Sequence, residues 1–157
     1  MIIKVISGGQ TGADLGALRG ASFCSVETGG WAPKGWKTEE GPDPGLGYVY
    51  GLRQHPEEGY PPRTEANVRD SDFTVWMGKM HTPGYKCTFN ACVKYKKPFF
   101  TVSKNYSIED VNKFMIYTIG KELVMNFAGN RESSNPGIQV AAESFVTDIL
   151  KGLNDNV

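Results

Sequence analysis

At 157 residues the chain has the length of one ordinary domain, enough to bury roughly 70% of the surface it would expose when unfolded. Its 39% hydrophobic and 22% charged residues exclude a disordered segment, and 17 Lys and Arg against 17 Asp and Glu leave no basic excess for holding nucleic-acid phosphates. Three cysteines, Cys24, Cys87 and Cys92, without CxxC spacing argue against a disulfide framework or a zinc site and read as free thiols of a reducing compartment.

The apolar start Met1–Ile6 is too short for a signal peptide or a membrane span, and no other run approaches about 18 apolar residues. The expectation is a cytoplasmic protein with no membrane partner. Ile2–Ile6 reads as a buried strand, β-branched and stopped by Gly8 and Gly9. From Gly12 to about Phe23 the pattern is helical, with Leu15, Leu18 and Ala21 or Ser22 on one side. Val26–Trp31 reads as a weaker strand. The stretch 33–59 is rich in Gly and Pro and reads as a long loop, the aromatics Trp31, Trp36, Tyr48 and Tyr50 in and beside it favouring a lid over a disordered insert.

Pro62–Asp70 reads as a short helix, Phe73–Met77 as a strand, and Tyr85–Lys97 as a helix with Phe89, Cys92 and Val93 inward. Pro98–Val102 is a further strand. Ser107 caps a helix running to about Gly120, with the acidic Asp110 three residues on. Leu123–Phe127 is the last strand, and Gly137–Leu153 the clearest amphipathic helix, with Ile138, Ala142, Phe145, Ile149 and Leu153 on its stripe. Alternating strands and helices, with unbroken apolar strands, predict an α/β Rossmann-like domain: three layers, a mainly parallel sheet between helices, and no internal repeat or linker from residue 1 to 157.

Ligands of open parallel sheets sit at the carboxyl ends of the strands, so the strand-to-helix loops carry the candidate site. In Ser7–Asp14 (SGGQTGAD), Gly8, Gly9 and Gly12 allow close approach of backbone, and Gln10 and Thr11 add donors for an anion at the helix start. A tight turn with Asp14 as a helix-start charge is the plain alternative. The sequence is neither GxGxxG nor a P-loop, which needs Lys followed by Ser or Thr. In the loop from Gly78, Pro83-Gly84 precedes a helix start, and His81 is a candidate acid or base set against an ordinary surface histidine. In Ala128–Gly137, Arg131 offers a planar fork for phosphate or carboxylate, with Glu132 as its possible ion-pair partner and Ser133 beside it. Arg63, Glu65 and Asn67 lie together on the short helix. No Ser-His-Asp order, HExxH or His/Cys cluster is present, so no metal site is expected.

SGGQTGAD at Ser7–Asp14, GGWAPKG at Gly29–Gly35, YPPRTEANVRDSD at Tyr60–Asp72, KKP at Lys96–Pro98 and NFAGNRESSNPGI at Asn126–Ile138 occur in this order. Together they resemble the family of "putative molybdenum carriers", a circularly permuted branch of the SLOG superfamily of Rossmann-like nucleotide-ligand binders. The resemblance spans nearly the whole chain. It implies a homo-oligomer, a dimer or tetramer built on helix faces, and a pocket at the Gly loops. The candidate ligand-binding residues are Gly8, Gly9, Gln10, Thr11, Gly12, Asp14, Lys34, Arg63, Asn67, Gly84, Thr88, Arg131 and Ser133. The implied ligand is a small phosphorylated molecule, the molybdenum cofactor or a nucleotide. In that cofactor a pterin holds the metal, so no protein metal cluster is required.

Some SLOG relatives are phosphoribohydrolases that cleave an N-glycosidic bond with a glutamate in a PGGxGTxxE stretch. Here the stretch reads Thr82-Pro-Gly-Tyr-Lys-Cys-Thr-Phe-Asn90, with Tyr85 or Lys86 displacing the Gly-Thr pair and Thr88 or Asn90 where the carboxylate would stand. An amide is no general base at neutral pH. Three functions follow, in decreasing order of support. The first is a non-catalytic carrier or sensor of a phosphate compound. The second is a nucleotide-processing enzyme using Glu65, Asp14 or Glu132. The third is an interaction module docking through the aromatic stretch from Trp31 to Tyr60.

Overall fold

Five parallel strands form the spine of the computed structural model, which describes residues 1–155, with side chains through Gly152. Strands β1 (Ile2–Ile6), β2 (Glu27–Gly29), β5 (Phe73–Met77), β6 (Phe99–Val102) and β7 (Leu123–Gly129) lie in the order β2-β1-β7-β5-β6. Helices α1 (Ala13–Phe23), α5 (Ile108–Thr118) and α6 (Ile138–Asp155) cover one face; α3 (Tyr60–Arg69) and α4 (Pro83–Tyr95) cover the other. The fold is therefore the α/β, Rossmann-like arrangement expected. No described helix is long and apolar enough to cross a membrane.

The two faces of the sheet differ in chemistry because side chains alternate along a strand. Phe73, Val75 and Met77 of β5, and Met125 and Phe127 of β7, point into the main core with Ile138, Phe145 and Ile149 of α6. Thr74 and Asn126 lie on the opposite face and bond each other, the Asn126 amide donating to the Thr74 hydroxyl at 3.1 Å. The apolar run of the sequence thus hides a polar seam.

Helix α1 approaches α6 at backbone distance through its glycines. A Cβ at Gly16 would lie 2.2 Å from the Gln139 carbonyl oxygen, and one at Gly20 would lie 2.8 Å from that of Glu143. The expected stripe is split: Ala21 is buried in the main core with α6 and Ser22 is exposed, whereas Leu15 and Leu18 turn to a separate small cluster with Ala32, Leu46 and Leu52.

Several boundaries differ from the expectation. The strand foreseen over Val26–Trp31 breaks at Gly30, whose φ of 121° no ordinary residue adopts readily. Beyond it, β3 (Trp31–Ala32) leaves the main sheet and pairs with β4 (Arg53–Gln54). Between them the stretch 33–59 is not featureless: a short helix α2 (Gly45–Tyr50) sets Leu46 with Leu18, Ala32 and Leu52 in a small core of its own. Helix α4 begins at Pro83 and buries Thr88, Ala91 and Cys92, whereas Phe89 and Val93 face outward. Phe89 instead stacks on Tyr85 and meets the edge of Phe99, since α4 lies over the sheet margin. Helix α6 buries Ile138, Ala142, Phe145 and Ile149; the Leu153 side chain lies outside the described residues.

Candidate functional site

From β1 the chain steps one way to β2, later crosses to β5 and steps the other way to β6, and β7 fills the gap between β1 and β5. A crevice opens where such a sheet reverses direction, beyond the carboxyl ends of its strands. Here that crevice is a cavity of about 460 Å³ between the starts of α3 and α4. That volume is within the range of small-molecule sites. The cavity is lined by the end of β7 and the start of the loop after it, Asn126 to Arg131, and by Tyr60 and Trp76.

Of the residues singled out from sequence, Gly8, Gln10, Asp14, Arg63, Asn67, Gly84, Thr88 and Arg131 line this cavity. Arg63 lies directly on Gly8: a Cβ there would sit 1.6 Å from Arg63 Nη1. The same nitrogen is 3.4 Å from the buried Asp14 carboxylate. Arg63 Nε is buried yet meets no acceptor within the protein. A buried guanidinium N–H without a partner is costly, and it marks where an acceptor from outside the chain would be welcome. Tyr60 lies against both guanidiniums, Arg63 at 5.4 Å and Arg131 at 5.9 Å from its ring centroid. Burial pushes the Asp14 carboxyl up, against the opposing pull of Arg63 and the Gln10 amide.

Some lining groups are already engaged. The Asn67 side chain accepts from the Trp31 amide and donates to the Trp31 carbonyl, fastening α3 to β3. The Thr88 hydroxyl donates to the Gly84 carbonyl at 2.9 Å. Thr82 caps α4 by accepting from the Tyr85 amide, and Pro83 and Gly84 carry the helix start onto the cavity wall.

Gly9, Thr11, Gly12, Lys34 and Ser133 lie elsewhere. Leu46 and Leu52 cover Gly9, and the Gly12 amide donates to Gln139 Oε1 at 3.2 Å. Lys34 is exposed, 3.8 Å from Glu58. The hydroxyls of Thr11 and Ser133 both donate to the Glu39 carboxylate. Glu65 pairs with Lys94 on the surface, and Glu132 caps the start of α6 by accepting from the Gly137 and Gln139 amides. His81 is exposed and outside the lining. Among the described residues no three His, Cys, Asp or Glu side chains gather as a metal would need.

Tyr60, Trp76, Cys87 and Asn126 also line the cavity, beyond the residues that the loop patterns single out. Asn126 left one signal, a polar residue inside an apolar strand. Glu39 left none, because its partners are far along the chain.

The sequence matches the family described as the circularly permutated YpsA SLOG family over residues 5–150. The fold matches a crystal structure titled "Putative molybdenum carrier protein", from Syntrophus aciditrophicus SB, with a TM-score of 0.80 and 36% identity. That match covers 97% of this chain and 94% of the other. Comparison with curated proteins returned no match.

Proposed function

The chain belongs to the circularly permutated YpsA SLOG family, and from that premise we propose that it binds a phosphate-bearing small molecule of the nucleotide or phosphorylated-pterin class as a carrier or sensor. The observation that carries this reading is Arg63, a side chain that lines the cavity and whose buried Nε finds no acceptor within the protein. Around it stand the features an anionic ligand needs. Arg131 has no ion-pair partner within 4.0 Å among the described residues. The α4 start brings the positive end of its dipole to the wall, and Tyr60 and Trp76 supply apolar surface for a ring system. A phosphorylated pterin holding its own metal would draw on the same groups, since it asks the protein for a phosphate site and not for metal ligands.

Titration calorimetry with AMP, ADP-ribose and a phosphorylated pterin tests this. Binding of at least one is expected, weakened roughly 10- to 100-fold by Arg63→Met or Arg131→Ala, the usual worth of a charge-assisted hydrogen bond. No heat from any of them, and no rise in melting temperature, would overturn the reading.

One observation favours a second reading, nucleotide processing: Asp14 is a carboxyl in the cavity, and its burial favours the protonated form. A protonated carboxyl can act as a general acid. Release of free base from a nucleoside monophosphate, lost in Asp14→Asn, would establish that activity. Unchanged nucleotide with binding intact leaves the carrier reading in place.

A further inference from the structure

We propose that the donors now holding the Glu39 carboxylate form a second oxyanion site, beside the main cavity, and that Glu39 is its displaceable resident. The two-anion ligand class argued below rests on the cavity being an anion site, because the two sites share their loops: Gln10 and Arg131 line the cavity, while Thr11 and Ser133 of the same loops hold Glu39. The Thr11 hydroxyl and the Ser133 amide, at 3.2 Å, donate to one Glu39 oxygen, and the Ser133 hydroxyl donates to the other. The Arg131 charge adds attraction. Hydroxyl and amide donors converging on one point suit a tetrahedral dianion as well as they suit a carboxylate.

Glu39 arrives on a turn that holds itself together. The Thr38 amide donates to the Gly41 carbonyl at 3.2 Å, and the Gly41 amide returns a bond to the Thr38 carbonyl at 3.0 Å. The Thr38 hydroxyl donates to the Gly41 carbonyl and accepts from the Glu40 amide. The turn reaches the glycine loop through Glu39, by its carboxylate and by its amide, which donates to Gln10 Oε1 at 2.9 Å. A second cleft of about 170 Å³ separates the rest of the turn from Gly9, Thr11 and Leu15. Releasing the Glu39 carboxylate therefore leaves only the amide bond to Gln10 between turn and glycine loop, while Trp36 and Leu46 keep the segment anchored.

The arrangement defines a ligand class. A molecule with two anionic groups, such as a diphosphate ester, places one group in the cavity and the other on Thr11 and Ser133, and expels Glu39 into water. The displaced carboxylate regains hydration, and the donors keep an anionic acceptor.

Calorimetric titration of the full chain with inorganic phosphate, pyrophosphate and molybdate tests this in wild type, Glu39→Ala and Glu39→Gln. Removing the resident is expected to tighten oxyanion binding about tenfold or more, since the competent state no longer has to be opened first. Glu39→Gln, neutral but still an acceptor, should fall between, and it carries the comparison alone if Glu39→Ala does not fold. Thr11→Val with Ser133→Ala, added to the Glu39 variant, should abolish the gain. A gain largest for pyrophosphate supports a two-phosphate ligand as the source of the anion; one largest for molybdate supports a free metal oxyanion. No gain in either Glu39 variant overturns the proposal and leaves Glu39 a structural latch. So does a gain for inorganic phosphate, a single anion, that disappears with Arg63→Met, because that anion would then lie in the cavity. A wild type that binds no nucleotide, with the gain preserved in Arg63→Met, removes the cavity reading and leaves the second site standing.

Discussion

Helices α1 and α4 both start where a strand of the sheet ends, and glycine stands at both starts, but the two starts face different neighbours. At α1 the Gly12 amide bonds Gln139, the Ala13 amide bonds the Asn130 carbonyl at 3.1 Å, and the glycines admit protein backbone. At α4 Thr82, Pro83 and Gly84 lie on the cavity wall. The contrast teaches that a glycine-rich strand-to-helix loop records close approach of something, and that the something can be the protein itself. The α1 loop does both jobs by alternation: Gly8, Gln10 and Asp14 turn to the cavity, while Gly9 and Thr11 turn to the 33–59 segment.

The contrast breaks most visibly at the glycines. Gly12 has a φ of 84°, and a Cβ there would lie 2.4 Å from the Asn130 carbonyl oxygen. Gly12→Ala should cost about 3 kcal/mol in urea unfolding, from strain and overpacking together. At Gly84 a Cβ would meet only Trp76, at an ordinary 3.5 Å. Gly84→Ala should leave stability unchanged or slightly raised; if it unfolds the chain while Gly12→Ala is tolerated, the two starts have been assigned the wrong way round.

A smaller effect belongs to the open helix start. Thr82 accepts from the Tyr85 amide at 3.2 Å, so Thr82→Ala should cost about 1 kcal/mol of stability, measured by the same unfolding.

The smallest effect belongs to Glu39. Its partial burial alone would raise the carboxyl, but hydrogen bonds from Ser133 and Thr11 hold it below the ordinary glutamate value. The folded state thus binds the proton less readily than the unfolded chain. The stabilisation is full above the ordinary value and fades as pH falls through the depressed one. Melting temperature followed from neutral to acid should show wild type and Glu39→Gln converging at the acid end. A constant gap across that range would show that the charge contributes nothing.

Legibility in the sequence followed the range of the interaction. The alternation of apolar runs and helical stripes marked all five strands of the main sheet and the helices α1, α3, α4, α5 and α6, because burial on a regular element repeats within a few residues. The Ser107–Asp110 capping box was readable for the same reason, and both of its hydrogen bonds are present. Strand β3 and helix α2 were not readable. They are two and six residues long, and their packing partners, Arg53–Gln54 and Leu18, lie well along the chain. Phe89 departs from the inward stripe because a hydrophobic residue over a sheet margin packs sideways onto Tyr85 and Phe99.

What the sequence determined by itself was the α/β class, the parallel sheet, and the three loops at its carboxyl edge, since these depend on local periodicity and on glycine's freedom of φ. Which loop residues look into the cavity, which are consumed by the protein, and that Glu39 lies across two of them, only the tertiary structure decided. Those facts depend on contacts between residues 28 to 127 positions apart, such as Thr11 with Glu39 and Gly12 with Gln139, and no local pattern records such a pairing.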